Sequence, residues 1–94
     1  MNTDIRKYFE FDEKYNDYYA LIAAKDEDEA VDVYYEEVVG YDYDLKPVCK
    51  ELSSPEAWCI FSKAEAENDE EITMEDLVWE FDECALLLIS PDLL

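Results

Sequence analysis

From Asp26 to Gly40 the residues sort by helical angle into two opposed arcs, and that division limits how the chain can fold. At about 100° per residue, Ala30, Val31, Tyr34, Tyr35 and Val38 fall on one side. Asp28, Glu29, Asp32, Glu36 and Glu37 fall on the other, with Val33 alone interrupting them. Residues 26–39 are therefore expected to form an amphipathic helix whose outer face is wholly anionic. Asp26 is placed to N-cap it, and Glu29 three residues on completes a capping-box-like start. Gly40 stands where a helix end favours positive φ. No Lys or Arg lies within the segment to neutralise the acids. Such a helix must lay its apolar stripe on other structure and leave its carboxylates in water.

The same reading organises the rest. Residues 8–11 set Phe9 and Phe11 against Tyr8 and Glu10, which is strand patterning. Residues 13–17 are polar and turn-like, and 18–24 read as a strand buried on both faces, so the two strands suggest a hairpin. Pro47 confines any strand in 41–52 to a sheet edge. Ser53 or Ser54 followed by Pro55 starts a second helix reaching about residue 66, with Ala57, Ile60, Phe61 and Ala64 as its core stripe. An acidic loop, 67–71, follows. Thr73 caps a third helix with Asp76 at its N3 position. Met74, Leu77, Val78 and Phe81 share one face of it, and Glu75, Asp76, Glu80, Asp82 and Glu83 the other, with Trp79 inside the acidic arc. Residues 85–89 read as a final buried strand, stopped by Ser90 and Pro91. The order ββαβααβ describes one α+β domain over 1–94, a small mixed or antiparallel sheet with two to three helices.

Charge is the outlier. Twenty-seven Asp and Glu face seven Lys and Arg, a formal charge of −20 on 94 residues. Half the residues are apolar, so the chain can build a core and is expected to fold. Self-repulsion on this scale opposes the compact state, which directs attention to brine, cations or a basic partner as its reason. Halophilic adaptation fits poorly with three Cys, eight Tyr and several large aliphatics. An EF-hand loop fits poorly too, because Tyr35, Glu37 and Val39 before the single glycine, Gly40, do not supply alternating oxygen ligands. The runs 26–29 and 67–71 would hold Mg²⁺ or Ca²⁺ only loosely, and a charge run is ordinarily a solvated face. No metal site and no cofactor are expected.

Cys49, Cys59 and Cys84 form no CxxC pair, and the chain has no histidine. That excludes the usual zinc patterns and Cys–His nucleophiles. Cys59 and Cys84 lie on elements expected to pack in the core and Cys49 on an edge strand, and all three are expected as free thiols. Residues 1–4 lack a signal peptide's basic start, and the apolar run 85–89 is far short of a membrane span. The reading is a reduced, cytosolic protein with no membrane partner. Without histidine, a neutral-pH base would need a strongly shifted carboxylate or lysine. One glycine cannot make a phosphate loop. No catalytic residue is assigned, and the chain is read as a non-enzyme.

Direct nucleic-acid binding is excluded, since that affinity rests on Lys and Arg displacing counterions from phosphates. Inverted, the same physics supplies a function. Acids at i and i+4 on a helix lie about 6 Å apart along its axis, a spacing that suits basic side chains lining a nucleic-acid groove. The residues that carry this are Asp28, Asp32 and Glu36 on the first helix, Asp69, Glu70 and Glu71 in the acidic loop, and Glu75, Glu80 and Glu83 on the third helix. Tyr41 and Tyr43 are the aromatic contacts best placed to stack on arginine, and Trp79 is the candidate anchor, unless another element of the domain or a second copy covers it.

In size, charge and α+β pattern the whole chain resembles the small acidic DNA-mimicking inhibitors of phages and mobile elements, of the anti-restriction and anti-CRISPR kind. That resemblance implies inhibition of a nuclease or surveillance complex, in a host cytoplasm, by blocking its nucleic-acid channel. The partner would be a basic nucleic-acid-handling protein. Two other roles remain open on the residues: an acidic adaptor within a multiprotein complex, and a weak divalent-cation binder.

Overall fold

The computed structural model describes residues 6–16, 18–41, 46–68 and 71–89. Strand β1 (Lys7–Phe11) pairs with β2 (Ala20–Ala24) as the expected hairpin, Phe9 opposite Ile22. On its other side β1 pairs with β3 (Lys50–Leu52), and β2 with β4 (Leu86–Ile89). The result is a four-stranded antiparallel sheet in the order β3-β1-β2-β4. With helices α1 (Glu27–Tyr34), α2 (Ser54–Asn68) and α3 (Met74–Glu83), the element order is the ββαβααβ of the sequence pattern.

The strand alternation decides which helix goes where. Phe9 and Phe11 of β1 join Ala20, Ile22 and Ala24 of β2 on one face, where Ala30 and Tyr34 of α1 cover them. Tyr8 joins Leu21, Ala23, Leu52 and Leu87 on the other, covered by Ala57 and Phe61 of α2 and Leu77 and Phe81 of α3. The molecule is thus three layers, α1 on one face of the sheet and the α2–α3 pair on the other. Aromatic stacks tie each layer down: Phe11 on Tyr34 at 4.4 Å between centroids and Tyr8 on Phe81 at 4.7 Å. Each is worth about 0.5–1.5 kcal/mol beyond the area it buries. β2 is central, and all five of its residues are buried, as its unbroken apolar run requires.

Several expectations change in the structure. The helix expected over 26–39 is α-helical only to Tyr34 and continues as a π-helix, Tyr35–Val39. Gly40 closes it, with φ of 91° and its N–H on the Tyr35 carbonyl at 2.7 Å. The wider turn lets Val38 and Val39, adjacent in sequence, both pack against the α1-side core.

On α3, Met74 and Val78 were expected in the core but are 64% and 44% exposed. α2 already supplies Ala57, Phe61 and part of Trp58 to that cluster. A single line, Leu77 and Phe81, therefore suffices to close it.

α2 and β4 pack in the core as expected, but Cys59 is exposed and Cys84 half-buried. Cys59 lies about 200° of helical rotation from Ala57, the wrong side of α2. β4 is an edge strand, and Leu87 is its one fully buried residue. A bulge at Leu87 separates the pairs Leu21–Leu88 and Ile22–Leu86, so that Leu87 and Leu88 both turn toward α2 and α3.

β3 is the short edge strand that Pro47 allows. α2 begins with a reciprocal capping box, Ser53 N–H to Glu56 Oε1 at 3.0 Å and Glu56 N–H to Ser53 Oγ at 3.3 Å. This hydrogen bond from the Ser53 backbone holds the Glu56 carboxyl below its ordinary value.

Candidate acidic binding surfaces

The sheet separates the proposed contact residues into two groups on opposite faces. Asp28, Asp32, Glu36 and Tyr41 belong to the α1 side, and Glu71, Glu75, Trp79, Glu80 and Glu83 to the α3 side. One continuous surface containing all of them does not form. Tyr43, Asp69 and Glu70 lie outside the described residues.

On the α1 side the helix starts where Asp26, in extended conformation, accepts the Glu29 N–H at 2.9 Å. Glu29 in turn accepts the Lys25 N–H at 2.9 Å. Two acids of the 26–29 run are thereby engaged in capping. Asp28, Asp32 and Glu36 are exposed. Past the Gly40 turn, Tyr41 folds back over the helix. Its hydroxyl donates to Asp32 Oδ1 at 3.1 Å, and its ring stacks on Tyr35 at 5.9 Å. Partial loss of water, then the hydrogen bond and charge of Asp32 with help from Glu36, push its hydroxyl pKa up. The Tyr35–Tyr41 pair was not legible in the helical wheel, which places Tyr35 in the core arc. Tyr35 is half-buried, about 100° of helical rotation from the fully buried Tyr34.

On the α3 side, Thr73 accepts the Asp76 N–H at 3.2 Å and starts the helix as expected. Leu77 and Phe81 define its buried line, and Trp79 lies about 180° from their midpoint. It is 63% exposed, so no described element of the chain covers it. Glu75 and Glu83 stand one turn to either side and are exposed, while Glu80 is half-buried. The exposed Met74 and Val78 enlarge this surface, and the sequence pattern missed them. They border the buried line at its outer edge, and that marginal position was the available signal.

The C-terminus of α3 carries no basic residue of its own. Arg6 supplies the cation, donating from Nη2 to the carbonyls of Phe81 at 2.5 Å and Cys84 at 2.7 Å. It also lies 6.0 Å from the Tyr8 ring centroid. Its charge compensates both the helix dipole and the last-turn acids Glu80, Asp82 and Glu83.

A cleft of about 250 Å³ opens beside β1 and β3, lined by Glu10, Asp12, Lys14, Tyr15, Val48, Cys49 and Lys50. Burial, with the Glu27 carboxylate, pushes the Cys49 thiol up to about 11. That is the reverse of what a nucleophilic thiol needs. Burial, then the charge and hydrogen bond of Glu10, push the neighbouring Tyr19 hydroxyl up as well. Among the described residues no three His, Cys, Asp or Glu side chains converge as a metal site. None of the described helices is long and apolar enough to cross a membrane.

No curated protein and no solved structure matches the chain. A family model described as the YosH C-terminal domain matches residues 6–89. That span runs from the Arg6 cap through every strand and helix described above, and the chain belongs to the YosH C-terminal domain family.

Proposed function

We propose that this domain is an acidic binding module that occupies the basic, nucleic-acid-binding surface of a partner protein, such as a nuclease or a CRISPR-type complex, by presenting carboxylates where phosphates would lie. The observation that carries the reading is the placement of acids against the preferences of the helices that hold them. Neither α1 with its π-helical extension nor α3 has a basic residue in its last turn. Glu36 and Glu37 end the first, and Glu80, Asp82 and Glu83 end the second. An acid in a C-terminal turn opposes the helix dipole by roughly 0.3–1 kcal/mol. The fold leaves this cost at the end of the first helix and offsets it at α3 only through Arg6, from outside the helix, which supports a role for the charge outside the domain. Complementary fields would also speed association with a basic partner.

A second reading draws on the opposite placement of the two faces. A domain with one anionic surface on each side of its sheet is suited to bridge two basic partners, as an adaptor would.

Affinity capture at moderate salt, followed by competition with duplex DNA or RNA, distinguishes the two. The inhibitor reading expects a nucleic-acid-handling partner whose retention is lost as the competitor is added. A partner held equally well at saturating nucleic acid would remove that reading. Reversal of Asp32 and Glu36 to Lys separates the faces: the adaptor reading expects loss of one partner and retention of the other.

A further inference from the structure

The α3 face holds more than charge, and its apolar residues say what it meets. Met74 and Val78 are four residues apart and form a ridge about 6 Å long. Trp79 lies about 100° farther round the helix than Val78, with Glu75 and Asp82 between them, and all three apolar residues are exposed. Glu75, Asp76, Glu80, Asp82 and Glu83 surround the three, and α3 contains no base.

We infer that α3 docks a basic amphipathic helix of the partner, whose apolar stripe covers Met74, Val78 and Trp79 and whose Lys or Arg side chains reach the surrounding carboxylates. This rests on the acidic-module reading above and names the element of the partner that α3 receives.

Charge selects this occupant. A second copy would set the same five acids against their like, with no base on either helix. An apolar partner surface would desolvate the carboxylates without pairing them. A basic helix satisfies both parts, because its apolar ridge packs beside α3 while an arginine can stack on the indole. A tryptophan ringed by polar groups that exclude water is the usual anatomy of a binding hot spot.

The test uses the full chain and two synthetic peptides of identical Leu and Arg composition. In one, Leu recurs at helical i, i+3, i+4 and i+7 spacing; in the other the order is scrambled so that no stripe forms. Trp58 packs against Phe61 and Phe81, so a change in tryptophan emission on titration reports chiefly Trp79. The patterned peptide is expected to bind at least about tenfold more tightly and to shift the emission to the blue. Trp79→Ala, titrated by calorimetry because it removes the reporter, and separately Met74→Ser with Val78→Ser, should abolish that preference and leave the melting temperature nearly unchanged. Glu13→Gln, in the β1–β2 turn and outside both acidic faces, should preserve it. Equal binding of both peptides overturns the docking inference and leaves the acidic-module reading intact. Binding of neither at low salt sinks both. A concentration-dependent dimer that disappears in Trp79→Ala would assign the face to a second copy and overturn the inference as well.

Discussion

The Asn16 side chain and the Val48 backbone exchange two hydrogen bonds, Nδ2 to the Val48 carbonyl at 2.7 Å and the Val48 N–H to Oδ1 at 2.8 Å. The amide does what a neighbouring strand residue would do, and it ties the β1–β2 turn to the segment entering β3. Nδ2 also donates to the Asp12 carbonyl at 3.0 Å, and Asn16 is only 8% exposed. Asn16→Ala should therefore lower the unfolding free energy by about 1–3 kcal/mol, the cost of stranding partly buried backbone groups. Asn16→Asp should cost at least as much, because it replaces a donor by an acceptor facing two carbonyls. Denaturant titration measures both. A change within about 0.5 kcal/mol of zero, the range of an ordinary surface substitution, would show the pair to be ornamental.

Salt should stabilise this domain. The outward acids of α1 and α3 have no base on their own helices, and their repulsion is screened as the Debye length falls from about 30 Å at 0.01 M to about 8 Å at 0.15 M. A gain of about 1 kcal/mol would raise the melting temperature of a domain this size by roughly 4–8 °C. Calorimetry across that NaCl range checks it, and a constant melting temperature would mean that the acids do not oppose folding.

Stability should decline on the alkaline side. The Cys49 thiol moves from an ordinary value of 9.0 to about 11 in the folded state, and the Tyr19 hydroxyl is also raised from 10.0. A raised folded value means that the native state binds more protons than the unfolded state across this window. The contribution is complete below pH 9 and is lost as pH rises through 11. Cys49→Ala should flatten the pH 9–11 part of the melting profile and leave the Tyr19 component above it. A profile identical to that of the parent protein would contradict the assignment to Cys49.

The thiols should also differ in rate toward an aromatic disulfide reagent at pH 8. Cys59 is exposed on α2, whereas Cys49 and Cys84 are half-buried. One fast equivalent is expected, removed by Cys59→Ser, followed by slower reaction of the others. Three equivalents reacting at one rate would place the cysteines differently.

Much of the fold was legible because local patterns and packing agree. The alternation of Phe9 and Phe11 with Tyr8 and Glu10, the all-apolar β2 and the Thr73 cap each determine their element without help from afar. The order ββαβααβ followed from them. What could not be read depends on partners distant in sequence. Met74 and Val78 have the spacing of core residues, and only the presence of Trp58 and Phe61 from α2 explains why they are not needed. The π-turn depends on two valines meeting a sheet that the helical wheel does not contain. Of the candidate contacts, the outward angle of Trp79 was legible, but whether another element covers it was not, because that depends on how the remaining elements pack. Nor was the separation of Asp32 from Glu75 by the sheet, since it is a property of topology.

The Arg6 cap has a further consequence for synthesis. Its acceptors, the carbonyls of Phe81 and Cys84, lie 75 and 78 residues later in the chain, and β2 receives its second neighbour only with β4. A growing polypeptide therefore carries an open apolar strand, Ala20–Ala24, until nearly all of the domain has left the ribosome. An unpaired strand of that kind is a template for aggregation. Neighbouring nascent chains would meet it through a cloud of like charge, because Asp26 to Glu37 emerge directly behind it. The acidity that opposes the finished fold thus keeps unfinished copies apart.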